Sequence, residues 1–330
     1  MLTQFTIDIS FTTINRFLRM NHLSIYVYEI KHSSLLIYGA DIRKYIKVAN
    51  PEIWRGNVSH FLLQKLIGLL GHLDENRLRS KNWKTDTDLN FIMECHKTNI
   101  EIGTSLSILG NCYSPSFQDR LNNLKSSSSP ILTQIYSNFT GILEDIEKST
   151  KIKLAPKKSD FQNNARNLWL KSRNNLISLI NYHIFGNIAF STAFDPSYQI
   201  LYKINDYWDD FLKLNSLYIP KLYPFSTLLL YINRISLKLY LNLMCKKSKF
   251  GGHWFLLYPN LIIYSLGYRI IQSIDDRGNI ISRNILGAAS MLARFMDIKW
   301  QTSDFTNKGN LFFAVRTAFL EFDKSYYGPR

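Results

Sequence analysis

Cysteine is scarce in this chain: Cys95, Cys112 and Cys245 are the only three among 330 residues, and no C-x-x-C pair occurs. A disulfide framework is therefore excluded, and a paired-cysteine zinc site has no ligands. The count suits a reducing compartment. Fifteen Gly and nine Pro are too few for a collagen-like or linker-dominated chain. Long uninterrupted apolar runs are lacking as well. Residues 254–271 come nearest to a span but contain Pro259, Asn260 and Arg269, and residues 217–244 hold Lys221, Arg234 and Lys238. A spanning helix needs roughly 20 mostly apolar residues, so a membrane partner is not expected. A basic stretch followed by a continuous apolar core is missing near Met1, where Asp8, Asn15, Arg16 and Arg19 intervene. The expected location is intracellular rather than secreted. Gly251-Gly252-His253 lacks the Lys-Ser/Thr of a phosphate loop, and no G-x-G-x-x-G occurs.

What is present is apolar and aromatic. Apolar residues make up 46% and aromatics 14% of the chain, which excludes disorder. From residue 58 onward the apolar spacing is helical. The spacing predicts helices over 58–73, with Asn57 or Ser59 as cap, and over 89–109, ending at Gly110-Asn111. Residues 113–129 read as a loop with a hinge at Ser126 to Ser129. Ser129-Pro130 is the clearest helix start in the chain. Behind it Ile131, Ile135, Phe139, Ile142 and Ile146 form one continuous apolar stripe. Asp160 is placed to cap a helix reaching about Phe185, with His183 on its apolar face. Asp195-Pro196 starts another, a further helix is expected over 225–244, and two more begin near Ser282 and Asn310. Asp275-Asp276-Arg277-Gly278-Asn279 reads as a turn.

Residues 23–38 alternate differently, with β-branched and aromatic types either side of a polar break at 31–34, and predict a small β-hairpin or irregular arm. The expected fold is therefore mainly α: helical and two-lobed, with that N-terminal element. Residues 1–50 are assigned to the arm, 51–150 to an N-terminal helical lobe and 151–330 to a basic C-terminal helical lobe. The boundary falls in the polar stretch 148–158 around Pro156.

The net charge is +15, and two windows carry all of it. Over 148–173 eight basic residues face one acid, Asp160, and over 211–274 eight basic residues face none. Charge localised in this way makes a field over part of the surface. The second window also holds Tyr218, Tyr223, Tyr231, Tyr240, Trp254 and Tyr258. Basic side chains along a backbone with aromatic faces under the bases are what single-stranded nucleic acid requires. The candidate phosphate contacts are Lys157, Lys158, Arg166, Lys171 and Arg173 in the first window and Arg234, Lys238, Lys246, Lys247 and Lys249 in the second. Arg77, Arg79, Lys81 and Lys84 around Trp83 form a third cluster.

Catalytic patterns are thin. Asp206, Asp209 and Asp210 lie at helical spacing and would suit a divalent metal, but no second carboxylate motif accompanies them. Asp275-Asp276 makes a turn before it makes a metal site, and Cys95-His96 offers two ligands where zinc needs four. The reading is a nucleic-acid-binding helical protein, RNA more than DNA, such as a nucleoprotein or ribonucleoprotein component. It needs no cofactor, is non-enzymatic rather than enzymatic, and could form homo-oligomers through its N-terminal arm. The alternatives are a metal-dependent helical enzyme using Asp206, Asp209 and Asp210 on an anionic substrate, and a peripheral membrane protein whose residues 254–271 insert into anionic lipid.

Overall fold

The computed structural model describes residues 23–73, 89–138, 141–161, 165–185, 259–296 and 307–327. Within them the chain is mainly α, with ten α-helices and no strand. The helices are α1 Ile25–Ser33, α2 Gly56–Gly71, α3 Leu89–Leu109, α4 Phe117–Ser126, α5 Pro130–Asn138, α6 Ile142–Leu154, α7 Ala165–Phe185, α8 Pro259–Gln272, α9 Ser282–Met296 and α10 Lys308–Tyr327.

Helix α3 is the hub. Fifteen of its 21 residues are buried, because α2 and α7 pack on one side of it and α6 and α4 on another. Gly103 permits the α6 approach, since a Cβ there would sit 2.7 Å from Ile146 Cγ2. Helix α8 lies against α2, and α9 and α10 pack against α8. One hydrophobic core runs through all of these, from Ile25 to Phe319, on both sides of residue 150. Trp169 of α7 donates its indole N–H to Leu69 O at 3.2 Å, and Ser172 Oγ donates to Cys95 O at 3.4 Å. Residues 148–154, expected as connector, complete α6.

Helix ends are closed by side chains from distant helices. Arg316 of α10 donates from Nε to Leu70 O and from Nη2 to Gly71 O, each at 2.7 Å, which satisfies the last carbonyls of α2. Arg173 of α7 does the same for α8. Its Nε and Nη2 donate to Ile271 O at 3.2 Å, and Nη2 also donates to Ile274 O. A guanidinium at a helix C-terminus meets both the orphan carbonyls and the negative end of the helix dipole.

Four further expectations need correction. The first strand of the expected hairpin is helix α1. Leu23, Ile25 and Val27 are buried as alternation would have it, but packing against the helical body and not strand pairing supplies their partners. Residues 1–22 lie outside the described residues. The expected loop 113–129 contains α4, which Ser116 caps by accepting from Asp119 N at 3.3 Å. The stripe from Ile131 to Ile146 is split between α5 and α6. Gly141, at φ +85, turns the chain through a left-handed conformation that costs glycine no Cβ clash. Ile135, Ile142 and Ile146 are nonetheless buried and Ile131 half-buried, while Phe139 lies outside the described residues. Asp160, expected to cap α7, instead accepts from Lys157 N at 2.8 Å and closes the short 3-10 turn Lys158–Phe161.

The turn at 275–279 forms as expected. Asp275 Oδ1 accepts from Arg277 N at 2.9 Å and from Asn279 N at 2.7 Å, and Gly278 takes φ +83. Asp276 pairs with Arg173 at 3.2 Å.

Candidate nucleic-acid interface

Helix α6 starts acidic, with Glu144 and Asp145 in its first turn, and ends basic, with Lys151 and Lys153 in its last. Both biases complement the helix dipole. The connector that follows folds back through Pro156 into the 3-10 turn, and an open groove of about 650 Å³ lies between them. Lys148, Lys151 and Lys157 line it together with Glu144, Glu147 and Asp160. Glu147 is held by Lys125 at 2.6 Å and Lys151 at 2.8 Å, and these two hydrogen bonds pull its carboxyl down to about 2. Lys148 and Lys157 are exposed, and among the described residues neither is in an ion pair. Lys153, also exposed, lies 5.2 Å from the ring of Phe117.

The structure separates the candidate phosphate contacts. Lys157 lies on the groove. Lys171 is 53% exposed but bound to Asp145 at 2.7 Å. Arg166, half-buried, donates to Arg277 O at 2.7 Å and so rests on the turn after α8. Arg173 is 5% exposed, and burial lowers its pKa; its donors are taken up by the end of α8 and by Asp276. For Lys158 only the backbone is described. Arg77, Arg79, Lys81 and Lys84, and Arg234, Lys238, Lys246, Lys247 and Lys249, lie outside the described residues, as do Asp206, Asp209 and Asp210. Among the described residues no three His, Cys, Asp or Glu side chains converge as metal ligands.

Residues 259–271, the described part of the segment expected to insert into lipid, lie in α8. Its Ile263, Tyr264, Leu266, Tyr268, Ile270 and Ile271 are buried against the body, so this part belongs to the core. Among the described residues no helix is long and apolar enough to cross a membrane.

Two polar centres escaped the sequence reading. In the first, Arg120 of α4 is buried and donates to Glu29 of α1 at 2.8 Å, to Thr104 Oγ1 at 2.5 Å and to the hydroxyl of Tyr113 at 3.0 Å. Tyr113 in turn donates to Glu29 Oε1 at 2.6 Å. Nearby, burial raises the Glu101 carboxyl. In the second, His96 Nδ1 and Ser149 Oγ lie 3.0 Å apart, and Asn99 Nδ2 donates to Ser149 at 3.3 Å. All three side chains are at most 2% exposed, so the imidazole–hydroxyl pair is out of reach of a substrate. Burial lowers His96 to about 4. His183 is likewise held, 3.0 Å from Ser59 Oγ. These partners stand 7 to 124 residues apart in the chain, and no local motif announces them.

Comparison with known protein families, curated sequences and solved structures returns no match.

Proposed function

We propose that this protein binds nucleic acid, single-stranded RNA in preference to DNA, by contacting phosphates along the α6 groove. The observation that supports the reading is three exposed ammonium groups, Lys148 and Lys157 on the groove and Lys153 in the last turn of α6. Among the acids on the groove, Glu147, next to Lys148 in sequence, is already occupied by Lys125 and Lys151. The overall +15 charge favours encounter with a polyanion. Lys171 can contribute if a phosphate displaces Asp145. Arg173 is left out, because its guanidinium is committed inside the fold.

The test is fluorescence anisotropy with an unstructured RNA over a range of salt. Log K should fall linearly with log salt, by roughly 0.7 per neutralised phosphate. Replacing Lys148, Lys153 and Lys157 together by Ala should flatten that slope by about two units and weaken binding to all sequences alike. An unchanged slope would remove the groove from the reading, and no wild-type affinity at low salt would remove nucleic acid altogether.

A further inference from the structure

The greatest apolar exposure among the described residues lies away from the groove, on residues 35–38. Leu35 is 86%, Ile37 91% and Tyr38 95% exposed. They sit at the tip of a loop whose neck is tied. Lys31 Nζ donates to Ile46 O at 2.8 Å, and Arg43 Nη1 donates to Ser34 O. Asp41 fixes Arg43 in that position, accepting from Nε at 2.8 Å and from Nη2 at 2.7 Å. Gly39, at φ +93, turns the chain within the tip. The loop is therefore a held projection with an apolar end.

The neck is basic. Lys31, Arg43, Lys44 and Lys47 surround it, and its one acid, Asp41, is committed to Arg43. Tyr45, 62% exposed, carries Lys44 Nζ 5.1 Å from its ring centre. Apolar tip, amphipathic ring and cationic collar succeed one another as hydrocarbon, interface and anionic headgroups do in a bilayer. We propose that residues 35–38 dip into an anionic lipid surface while the neck lysines meet its headgroups. A four-residue convex tip offers far less than the roughly 800 Å² per partner of a stable protein interface, which disfavours a second copy as occupant. Three of the four tip residues, Leu35, Leu36 and Ile37, give a nucleic-acid strand no ring to stack on. This contact stands apart from the α6 groove and does not depend on it.

The experiment is co-sedimentation of the full chain with vesicles of phosphatidylcholine alone and of phosphatidylcholine mixed with phosphatidylserine. Wild type should partition onto the mixed vesicles and poorly onto the neutral ones. The double variant Ile37→Asp with Tyr38→Asp should partition at least about tenfold more weakly, with the wild-type melting temperature, since both side chains are exposed. Lys44→Glu should weaken partition by about fivefold. The Lys148, Lys153 and Lys157 alanine variant should partition as wild type does. Absence of partition, or equal partition by the tip variant, overturns the proposal, the second result meaning that net charge alone suffices. Vesicle-free dimerisation that the tip variant abolishes also overturns it, in favour of a second copy as the occupant.

Discussion

Arg173 and Ile271 are joined by two hydrogen bonds of 3.2 Å, Nε and Nη2 of one guanidinium both donating to one carbonyl oxygen. The contact ties α7 to the end of α8 and uses a cation where an unpaired helix terminus would otherwise be buried.

Removing that cation should be costly. Arg173→Ala takes the guanidinium from the buried Ile271 and Ile274 carbonyls, leaving Ile271 O only its 3.4 Å bond from Ile274 N, and should lower stability by about 2–4 kcal/mol. Arg173→Lys should restore only part of this, because an ammonium cannot reproduce the fork. Urea denaturation checks both variants. A loss under about 0.5 kcal/mol, typical of a surface substitution, would show that the guanidinium does not cap α8.

Ile135 and Ile131 share one helix but differ in burial, the first fully buried and the second half-buried. Ile135→Ala should cost about 2–4 kcal/mol and Ile131→Ala about half as much. Equal losses would mean that α5 is rotated from the face described.

Glu29 should matter through Arg120. Glu29→Ala leaves a buried guanidinium without its carboxylate, and the expected loss is about 2–4 kcal/mol. The double variant Glu29→Ala with Arg120→Met should lose less than the sum of the two single changes, a coupling that a double-mutant cycle measures. Additive losses would place the two side chains apart.

Acid should destabilise the fold through His96. Burial holds its pKa at about 4 in the folded chain, against about 6.5 when unfolded. The unfolded chain therefore binds the proton first. The contribution of neutral His96 is complete above pH 6.5, falls by about 1.4 kcal/mol per pH unit below it, and levels off near pH 4. Burial lowers His183 in the same direction. Denaturation midpoints measured between pH 7 and pH 4 should fall less steeply in His96→Gln than in wild type; parallel curves would show that the imidazole is solvated.

Local chemistry was legible in the sequence where one stretch of chain decided it. Helix α3 ends at Leu109 before Gly110, α5 begins at Pro130, and the Asp275 turn closes with Gly278 at positive φ, each from residues adjacent in sequence. Helix α4 went unread because Arg120, Leu121 and Leu124 present a short buried face that only α3 and α6 complete. Arg166 and Arg173 were read as surface cations because a charge count records no destination for a guanidinium. One rests on Arg277 O and the other ends α8. Glu29 and Arg120 are 91 residues apart, a pairing that only the packing of α1 and α4 about α3 reveals.

The Arg316 contact sets an order on synthesis. The Leu70 carbonyl at the end of α2 gains its guanidinium partner only from a residue encoded 246 positions further on. At ribosomal rates of roughly 5–20 residues per second, that interval is on the order of 10–50 s. Throughout it the nascent chain carries α2 without that contact and with the core facing α8 and α10 uncovered. The emerging polypeptide therefore offers chaperones a long window of exposed apolar surface.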